Sequence, residues 1–404
     1  MPNVYRTAKE SIAGGAIVSS TRHAAPGSDP DAAPWRNLSA DKLRGIQIGL
    51  NIITRVARIR TERERSCMIW LHNYARLQNL TADALSSELD LSKPEIRAAL
   101  TDPDADITRF VRQVEAVRKK FEATLKPLVD TEPTKIVRAG LAMALKHKKI
   151  VDVIGFTRIG KSVPALDWFK RNAMDRGIFF NCPSDESDRN FIWEWARAMG
   201  IGAGTGKKTC QIIPQIRGCL GTGMIELIVV DEGHFLWPVD QKSKPKRIEF
   251  LRSAFDMFNP AQIGVVNLTT PQHSISMNLA LANNKRWAPG QWEGRAIPFH
   301  LPEVVSDKDL AAVARYHAPE FSEGMIAALV LHAKATAGFC GAMVNAIELA
   351  RFLAEEAGEK KVSADTLLAA QKQMTKNTKV GQSAKEIAKE KGSKITPMED
   401  RRAA

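Results

Sequence analysis

The stretch from Val151 to Ser162, VDVIGFTRIGKS, restricts the possible folds more than any other part of the sequence. It reads G-x-x-x-x-G-K-S without a mismatch, beginning at Gly155. An apolar run that predicts a buried strand precedes it, and SVPALDWFKRN, which predicts a helix, follows it. In this context the motif forms a phosphate-binding loop, because the loop N–H groups and the positive end of the helix point at one anion. The sequence therefore predicts an α/β nucleotide-binding core.

We predict that nine residues bind the nucleotide, which we expect to be ATP with Mg²⁺. They are Gly155, Phe156, Thr157, Arg158, Ile159, Gly160, Lys161, Ser162 and Val163. Lys161 would reach the β- and γ-phosphates, and the hydroxyl of Ser162 would bind Mg²⁺.

A second glycine-rich stretch, GAGTGKKT from Gly202 to Thr209, resembles the motif but does not satisfy it. Three residues rather than four separate its glycines, and Lys208 stands where Ser or Thr is required. The preceding FIWEWARAMGI predicts a helix rather than a strand. We interpret the stretch as a loop that carries Lys207 and Lys208. A solvated turn and a contact to the DNA backbone both remain open.

Two acidic residues follow a buried strand in ELIVVDEGH. Leu227–Val230 are apolar, and Asp231 and Glu232 come directly after them. Carboxylates at the end of a parallel strand can bind Mg²⁺ and activate water. We predict that Asp231 binds the metal through its water shell and that Glu232 orients or deprotonates the attacking water.

The strand candidate IGVVNLTT is followed by residues that could complete the site. Thr270, at its end, is predicted to contact the γ-phosphate and the attacking water, although a simple turn before Pro271 would explain it equally well. Arg286 and Arg295 are candidates for an arginine finger acting on a neighbouring subunit. We favour Arg295, because it immediately precedes the last core strand. A plain surface arginine remains the alternative.

The alternation of strand and helix patterns predicts a parallel sheet with helices on both faces, flanked by helical regions. The predicted organisation is a disordered N-terminus over 1–34, a basic helix over 35–65, a helix-turn-helix domain over 66–126, the α/β core over 127–301, a helical lid over 302–374 and a basic flexible tail over 375–404.

The helix-turn-helix prediction depends on LTADALSSELDLSKPEIRAAL, in which Ser92 and Glu95 have capping-box spacing. Its second helix would be the recognition helix. Five residues are predicted to contact DNA, and they are Lys93, Arg97, Arg112, Lys119 and Lys120. Asn and Gln are absent from SKPEIRAAL, so we expect phosphate contacts rather than base readout. A helical domain for protein contacts is the alternative.

Composition narrows the class of protein. Lys and Arg outnumber Asp and Glu by 58 to 45, a formal charge of +13, which favours a polyanionic partner; a merely solvated basic surface is the alternative. The five cysteines are scattered and form no C-x-x-C pair, which argues against a zinc site or a disulfide framework. No apolar run approaches the ~18 residues that span a bilayer. We therefore expect a cytoplasmic protein with no membrane partner.

Taken together, the phosphate loop, the acidic strand end, the polar strand end, the arginine and the lid resemble the AAA+ ATPases. With the N-terminal helices, residues 66–374 resemble the Mu-phage B transposition protein (MuB) and its relatives TniB and TnsC. The resemblance is carried by TEPTKIVRAGLAMAL, GFTRIGKS, IELIVVDEGHFL and VVNLTTPQ. It implies a protein that assembles on double-stranded DNA as a ring or helical filament and delivers it to an integrase-type transposase, which stimulates ATP hydrolysis.

Two features depart from the usual AAA+ pattern. GFTRIGKS lacks the additional glycine that is common before the final Gly-Lys, and Met343 stands where many members carry a sensor arginine. The second departure indicates slow or activator-dependent turnover. The alternative function is a DNA-binding regulatory or defence ATPase that senses nucleotide without taking part in transposition.

Overall fold

The computed structural model describes residues 46, 48–184, 187–202, 208–236, 247–248, 250–251, 263–283, 290–336 and 339–375. Several predicted features lie outside these residues. They are the segment 1–34, the first part of the predicted basic helix, Lys207, Arg286 and the tail beyond 375.

Five parallel strands form one sheet in the described part of the chain. They are β1 (Ile150–Ile154), β2 (Gly177–Asn181), β3 (Leu227–Asp231), β4 (Gly264–Thr269) and β5 (Ala296–His300). Their order is β2-β3-β4-β1-β5, so β1 pairs with β4 on one side and with β5 on the other. β1, β3 and β4 are buried along their whole length, as expected for a sheet covered on both faces. The predicted α/β class with a parallel sheet is confirmed.

Helices connect the strands and cover the sheet. They are α6 (Glu132–His147), α7 (Ser162–Asn172), α8 (Asp188–Ala198), α9 (Thr209–Leu220), α10 (Gln272–Asn283) and α11 (Gly290–Glu293). α6 packs closely on β1, because Gly140 leaves room for the strand. A methyl group at this glycine would lie 3.0 Å from Cγ2 of Val153.

The N-terminal region is helical. Its helices are α1 (Leu50–Val56), α2 (Glu62–Leu77), α3 (Ala82–Leu89), α4 (Lys93–Thr101) and α5 (Thr108–Thr124). The prediction of one basic helix over 35–65 is wrong in its described part. α1 ends at Val56, a 3₁₀ turn follows, and α2 begins at Glu62. The cause is a capping box, in which the Thr61 hydroxyl accepts from the Glu64 N–H and the Glu64 carboxylate accepts from the Thr61 N–H.

The predicted capping box is confirmed at the start of α4. The Ser92 N–H donates to the Glu95 carboxylate over 2.7 Å, and the Ser92 hydroxyl accepts from the Glu95 N–H. Asp90, in the left-handed conformation, ends α3 and turns the chain into α4. Two helices joined by a short turn are therefore present, and their binding to DNA stays a prediction.

The helical region packs directly on the edge strand β2. The buried amide of Asn73 in α2 donates to the carbonyl oxygens of Met174 and Gly177, over 2.7 and 2.8 Å. Arg76, also buried, donates to the carbonyl of Phe179 within β2. An irregular stretch over 125–131 follows α5, but it does not hold the helices apart from the core as a free linker would.

After β5 the chain is helical, as predicted for a lid. The helices are α12 (Asp307–His317), α13 (Glu323–Ala335), α14 (Phe339–Glu356) and α15, over 364–375. α12, α13 and α14 pack on one another. None of the described helices is long and apolar enough to cross a bilayer.

Candidate nucleotide-binding site

The loop after β1 begins where strand hydrogen bonding ends. The Gly155 N–H donates to the carbonyl of Thr269 over 3.1 Å, which holds the loop beside the end of β4. A methyl group at Gly155 would lie 2.6 Å from Cδ1 of Leu301, so only glycine fits there. Two later loop residues have positive φ, Arg158 at +65° and Gly160 at +96°. This backbone turns the chain tightly before α7 begins at Ser162.

Lys161 lies inside this loop. Its Nζ donates to the carbonyl oxygens of Gly155 and Phe156, over 2.7 and 2.8 Å. Burial lowers the pKa of the ammonium to about 8, although Asp231 and Glu232 attract its charge. The cation is therefore held within the loop by neutral acceptors, which a phosphate could replace.

The two predicted metal ligands meet in the structure. Ser162 lies beside Asp231, close enough for its hydroxyl to lower the pKa of the carboxylate, and the exposed fraction of Asp231 is only 3 %. Burial has the larger effect and raises the pKa of Asp231 to about 6, and the Glu232 N–H, which donates to this carboxylate over 2.8 Å, also opposes the rise. Hydroxyl and carboxylate oxygens are ligands that Mg²⁺ prefers. The residues therefore fit the predicted metal.

Glu232 follows Asp231 in a left-handed conformation, with φ of +54°. Its side chain is 47 % exposed, whereas that of Asp231 is buried, so the two carboxylates have different environments. Nδ1 of His234 lies 3.4 Å from Oε2 of Glu232, and burial lowers the pKa of His234. The imidazole is therefore neutral at neutral pH, and the Glu232 carboxylate is accessible to water. The sequence analysis did not identify His234.

Two hydroxyl groups at the end of β4 are buried and have no hydrogen-bond partner among the described residues. They belong to Thr269, which is fully buried, and to Thr270, which is half-buried and follows the strand. Unpaired buried hydroxyls are unfavourable unless a ligand completes them. The predicted role of Thr270 fits this observation.

Arg295 lies in the turn before β5 with an exposed side chain, and its N–H donates to the carbonyl of Trp292. This position fits a contact to another subunit. Arg286 lies outside the described residues. The choice between the two arginines stays a prediction.

A buried polar network next to the site was not foreseen. In the middle of β1, the carboxylate of Asp152 accepts from Asn267 Nδ2 over 3.0 Å and from Trp292 Nε1 over 2.9 Å. Nε2 of His273 lies 3.4 Å from the same carboxylate. Because Trp292 is three residues before Arg295, the network ties the arginine-bearing segment to β1. In the sequence, Asp152 stands out as an acidic residue within an apolar strand. The residues that bind its carboxylate cannot be identified from the sequence.

The predicted DNA contacts fall into two groups. On α4, Arg97 is exposed, but Lys93 is paired with Asp83 over 2.5 Å. On α5, Arg112, Lys119 and Lys120 are all exposed.

One sequence family and two solved structures are similar to this chain. A sequence family described as an AAA domain matches residues 144–274. The ORC2 protein of Aeropyrum pernix in its ADP form is similar in structure, with 16 % identity and a TM-score of 0.48 over 63 % of this chain and 72 % of that one. Its ADPNP–ADP complexes are similar at 15 % identity and a TM-score of 0.47, over 63 % and 71 %. No curated protein sequence matches the chain. The α/β core is an AAA-type ATPase domain with the P-loop fold.

Proposed function

We propose that this protein is an ATP-dependent DNA-binding AAA+ ATPase that assembles on duplex DNA and delivers it to an integrase-type transposase. The observation that carries the ATPase part is that Ser162 lies beside the buried carboxylate of Asp231, next to a loop in which the half-buried Lys161 ammonium is held by two backbone carbonyls. These groups come from two strand ends of one sheet edge, where ligands bind in open α/β folds.

The chain's own residues supply the groups that hydrolysis needs. Lys161 binds the β- and γ-phosphate oxygens, and Ser162 and Asp231 hold Mg²⁺, which would neutralise phosphate charge. Glu232 orients a water molecule and accepts its proton while the water oxygen bonds to the terminal phosphorus. The bond from that phosphorus to the bridging oxygen breaks, which gives ADP and phosphate. Thr270 donates a hydrogen bond to a terminal phosphate oxygen.

The DNA-binding part of the proposal is supported by a basic stripe on α5. Arg112, Lys119 and Lys120 lie within an arc of about 100° around the helix, and no acid lies inside it. The nearest acids of α5, Glu115 and Glu122, lie outside the arc and are already paired with arginines. The stripe is therefore free to contact phosphates.

The two helices that precede α5 are less suited to a polyanion. Asp83 pairs with Lys93, and Asp90 and Glu95 surround Arg109. We therefore propose the α5 stripe as the main DNA contact, with Lys93 and Arg97 as secondary contacts.

Met343 favours the alternative function, a regulatory or defence switch that binds DNA and senses nucleotide. Its side chain is fully buried in the lid, and so no cation reaches the nucleotide from that position. Slow hydrolysis would suit a switch that reads which nucleotide is bound.

The proposal is tested by assembly on DNA. Electron microscopy and light scattering should show rings or filaments with ATP and duplex DNA, and small particles without them. Glu232→Gln should assemble but release no phosphate. A protein that stays monomeric on DNA at saturating ATP would contradict the transposition proposal and favour the switch.

A charge-matched pair of variants tests the stripe. Changing Arg112, Lys119 and Lys120 to Gln should weaken DNA binding and reduce its salt slope by about 3, because each phosphate contact contributes about 0.9. The control changes the exposed lid residues Lys308, Lys360 and Lys361 to Gln, which removes the same charge. Equal effects of the two sets would show that net charge alone binds DNA.

A further inference from the structure

Arg158 occupies an unusual backbone position in the phosphate-binding loop. Its φ of +65° lies in the left-handed region, which glycine adopts readily and residues with a Cβ adopt with strain. Gly160, two residues later, has positive φ as well, and nothing would crowd a Cβ there. The loop thus places a long cationic side chain where a glycine would be less strained. Strained residues at a ligand-binding loop are candidates for function.

The Arg158 side chain contacts the lid. A Cβ added to Gly341, in the first turn of α14, would lie 3.2 Å from Cβ, 3.3 Å from Cγ and 3.4 Å from Cδ of Arg158. The aliphatic part of the arginine therefore packs along this glycine. The contact joins the phosphate-binding loop to the start of the longest lid helix, Phe339–Glu356.

The electrostatic surroundings of Arg158 favour an anion. The side chain is exposed, and no described residue forms an ion pair or a hydrogen bond with it. The N-terminal end of α14 carries a partial positive charge, and the ammonium of Lys161 lies in the same loop. An anion bound at this loop is attracted by each of these positive charges.

We propose that Arg158 binds the terminal phosphate of a nucleoside triphosphate within its own subunit and, through Gly341, couples that contact to the lid. This inference rests on the nucleotide binding proposed above and adds its specificity for triphosphate over diphosphate. ADP lacks the phosphate that Arg158 would bind, so the loop–lid contact would distinguish the two nucleotides.

Three substitutions of Arg158 separate its charge, its aliphatic part and its backbone strain. Arg158→Met keeps the aliphatic part and removes the charge, so ATP affinity should fall roughly tenfold while ADP affinity changes little. Arg158→Lys should retain most of the preference for ATP. Arg158→Gly should bind ADP at least as well as the wild type, because the strain is gone, but should lose the preference. Titration with fluorescent ATP and ADP measures each affinity, and thermal melting verifies folding.

Lys360→Met is the matched control, because it removes one exposed positive charge beyond the far end of α14. It should leave the ratio of ATP to ADP affinity unchanged. An Arg158→Met variant with the wild-type ratio would overturn the proposal.

The lid contact has its own test. Gly341→Ala adds a methyl group against the Arg158 side chain and should lower the ATP preference in the wild-type background. In the Arg158→Gly background the same change should have no effect, because its contact is absent. Equal effects in both backgrounds would contradict the coupling.

The failures of the two proposals differ. If the wild type binds neither ATP nor ADP, the proposed function is wrong. If it binds ATP in a Lys161-dependent way and Arg158→Met changes nothing, only this inference is wrong.

Discussion

Two clusters of polar side chains, one buried and the other partly buried, serve different purposes in this molecule. The docking cluster, His72, Asn73 and Arg76 of α2, lies between the N-terminal helices and the sheet. The site cluster, Lys161, Ser162, Asp231, Thr269 and Thr270, lies at the carboxyl end of the strands. Docking-cluster nitrogens contact backbone carbonyls of the core. In the site cluster, Lys161 bonds to carbonyls of its own loop, and the hydroxyls of Thr269 and Thr270 have no hydrogen-bond partner among the described residues.

The comparison shows that burial of polar groups does not by itself identify a functional site. Groups that are bound to the fold's own backbone stabilise the fold, because removing one leaves a buried carbonyl unpaired. Groups that face one another at a strand end can exchange partners with a ligand. Variants in each cluster should therefore change different measurements, and each prediction below could contradict that separation.

The largest effect is expected in the site cluster. Lys161→Ala should weaken ATP binding about a thousandfold, or ~4 kcal/mol, because it removes charge-assisted hydrogen bonds to two phosphates. The unfolding free energy should change little, because loss of the two bonds to the Gly155 and Phe156 carbonyls is offset by removal of a partly desolvated cation. Nucleotide titration and urea unfolding measure the two effects. Lys207→Ala with Lys208→Ala is the control, and loss of ATP binding there would show that the second glycine-rich stretch is the true site.

A substitution in the docking cluster should lower the unfolding free energy and leave ATP binding unchanged. Asn73→Leu leaves the carbonyls of Met174 and Gly177 unpaired, so the unfolding free energy should fall by about 3 kcal/mol. The ATP affinity of the folded protein should not change. Gln78→Leu, at the exposed end of α2, is the control and should have little effect on stability. Altered ATP affinity in Asn73→Leu would mean that the two clusters are coupled.

The two clusters also differ in how far the sequence predicted them. The loop from Gly155 to Ser162 and the Asp231–Glu232 pair were found because their chemistry depends on short, local spacing. The docking cluster could not be predicted in this way, because the partners of Asn73 are backbone carbonyls more than a hundred residues away. Every residue carries such a carbonyl, so the sequence does not show which ones Asn73 contacts. The spacing of Thr61 and Glu64 also indicates a capping box in the sequence. Because this box starts a new helix, the prediction of a single helix over residues 35–65 is wrong.

A smaller effect concerns pH, because the clusters titrate in opposite directions. Burial lowers the pKa of His72 to about 4, so the folded state binds fewer protons than the unfolded state, and stability is lost as pH falls from 6.5 towards 4. Burial raises the pKa of Asp231 to about 6, so the folded state takes up its proton first, and stability is gained over the same range. Each contribution is about 3 kcal/mol, because both shifts exceed two units and one unit corresponds to ~1.4 kcal/mol.

Difference curves against the wild type separate the two contributions. Without nucleotide, Asp231→Asn should lose stability more steeply than the wild type between pH 6.5 and 4. His72→Gln should lose it less steeply, because Gln does not titrate. Urea unfolding at several pH values measures both slopes. Parallel curves for all three proteins would mean that neither group titrates in this range.

The smallest effect distinguishes two neighbouring hydroxyls within the site cluster. Thr270 follows β4, and the residue is half-buried although its hydroxyl is covered, whereas Thr269 is fully buried within the strand. We expect the Thr270 hydroxyl, which lies outside the strand, to contact a bound phosphate. Thr270→Val should slow hydrolysis about tenfold, or ~1.4 kcal/mol, with little change in ATP affinity, since the lost hydrogen bond strengthens as charge develops. Thr269→Val should leave hydrolysis unchanged and raise the unfolding free energy by up to ~1 kcal/mol, because it removes an unpaired buried hydroxyl.

Phosphate release and urea unfolding measure both variants, and since each substitution preserves shape, packing differences cannot explain the result. If Thr269→Val slows hydrolysis and Thr270→Val does not, the hydroxyl of Thr269 is the one that contacts the nucleotide. The end of β4 must then move to expose it.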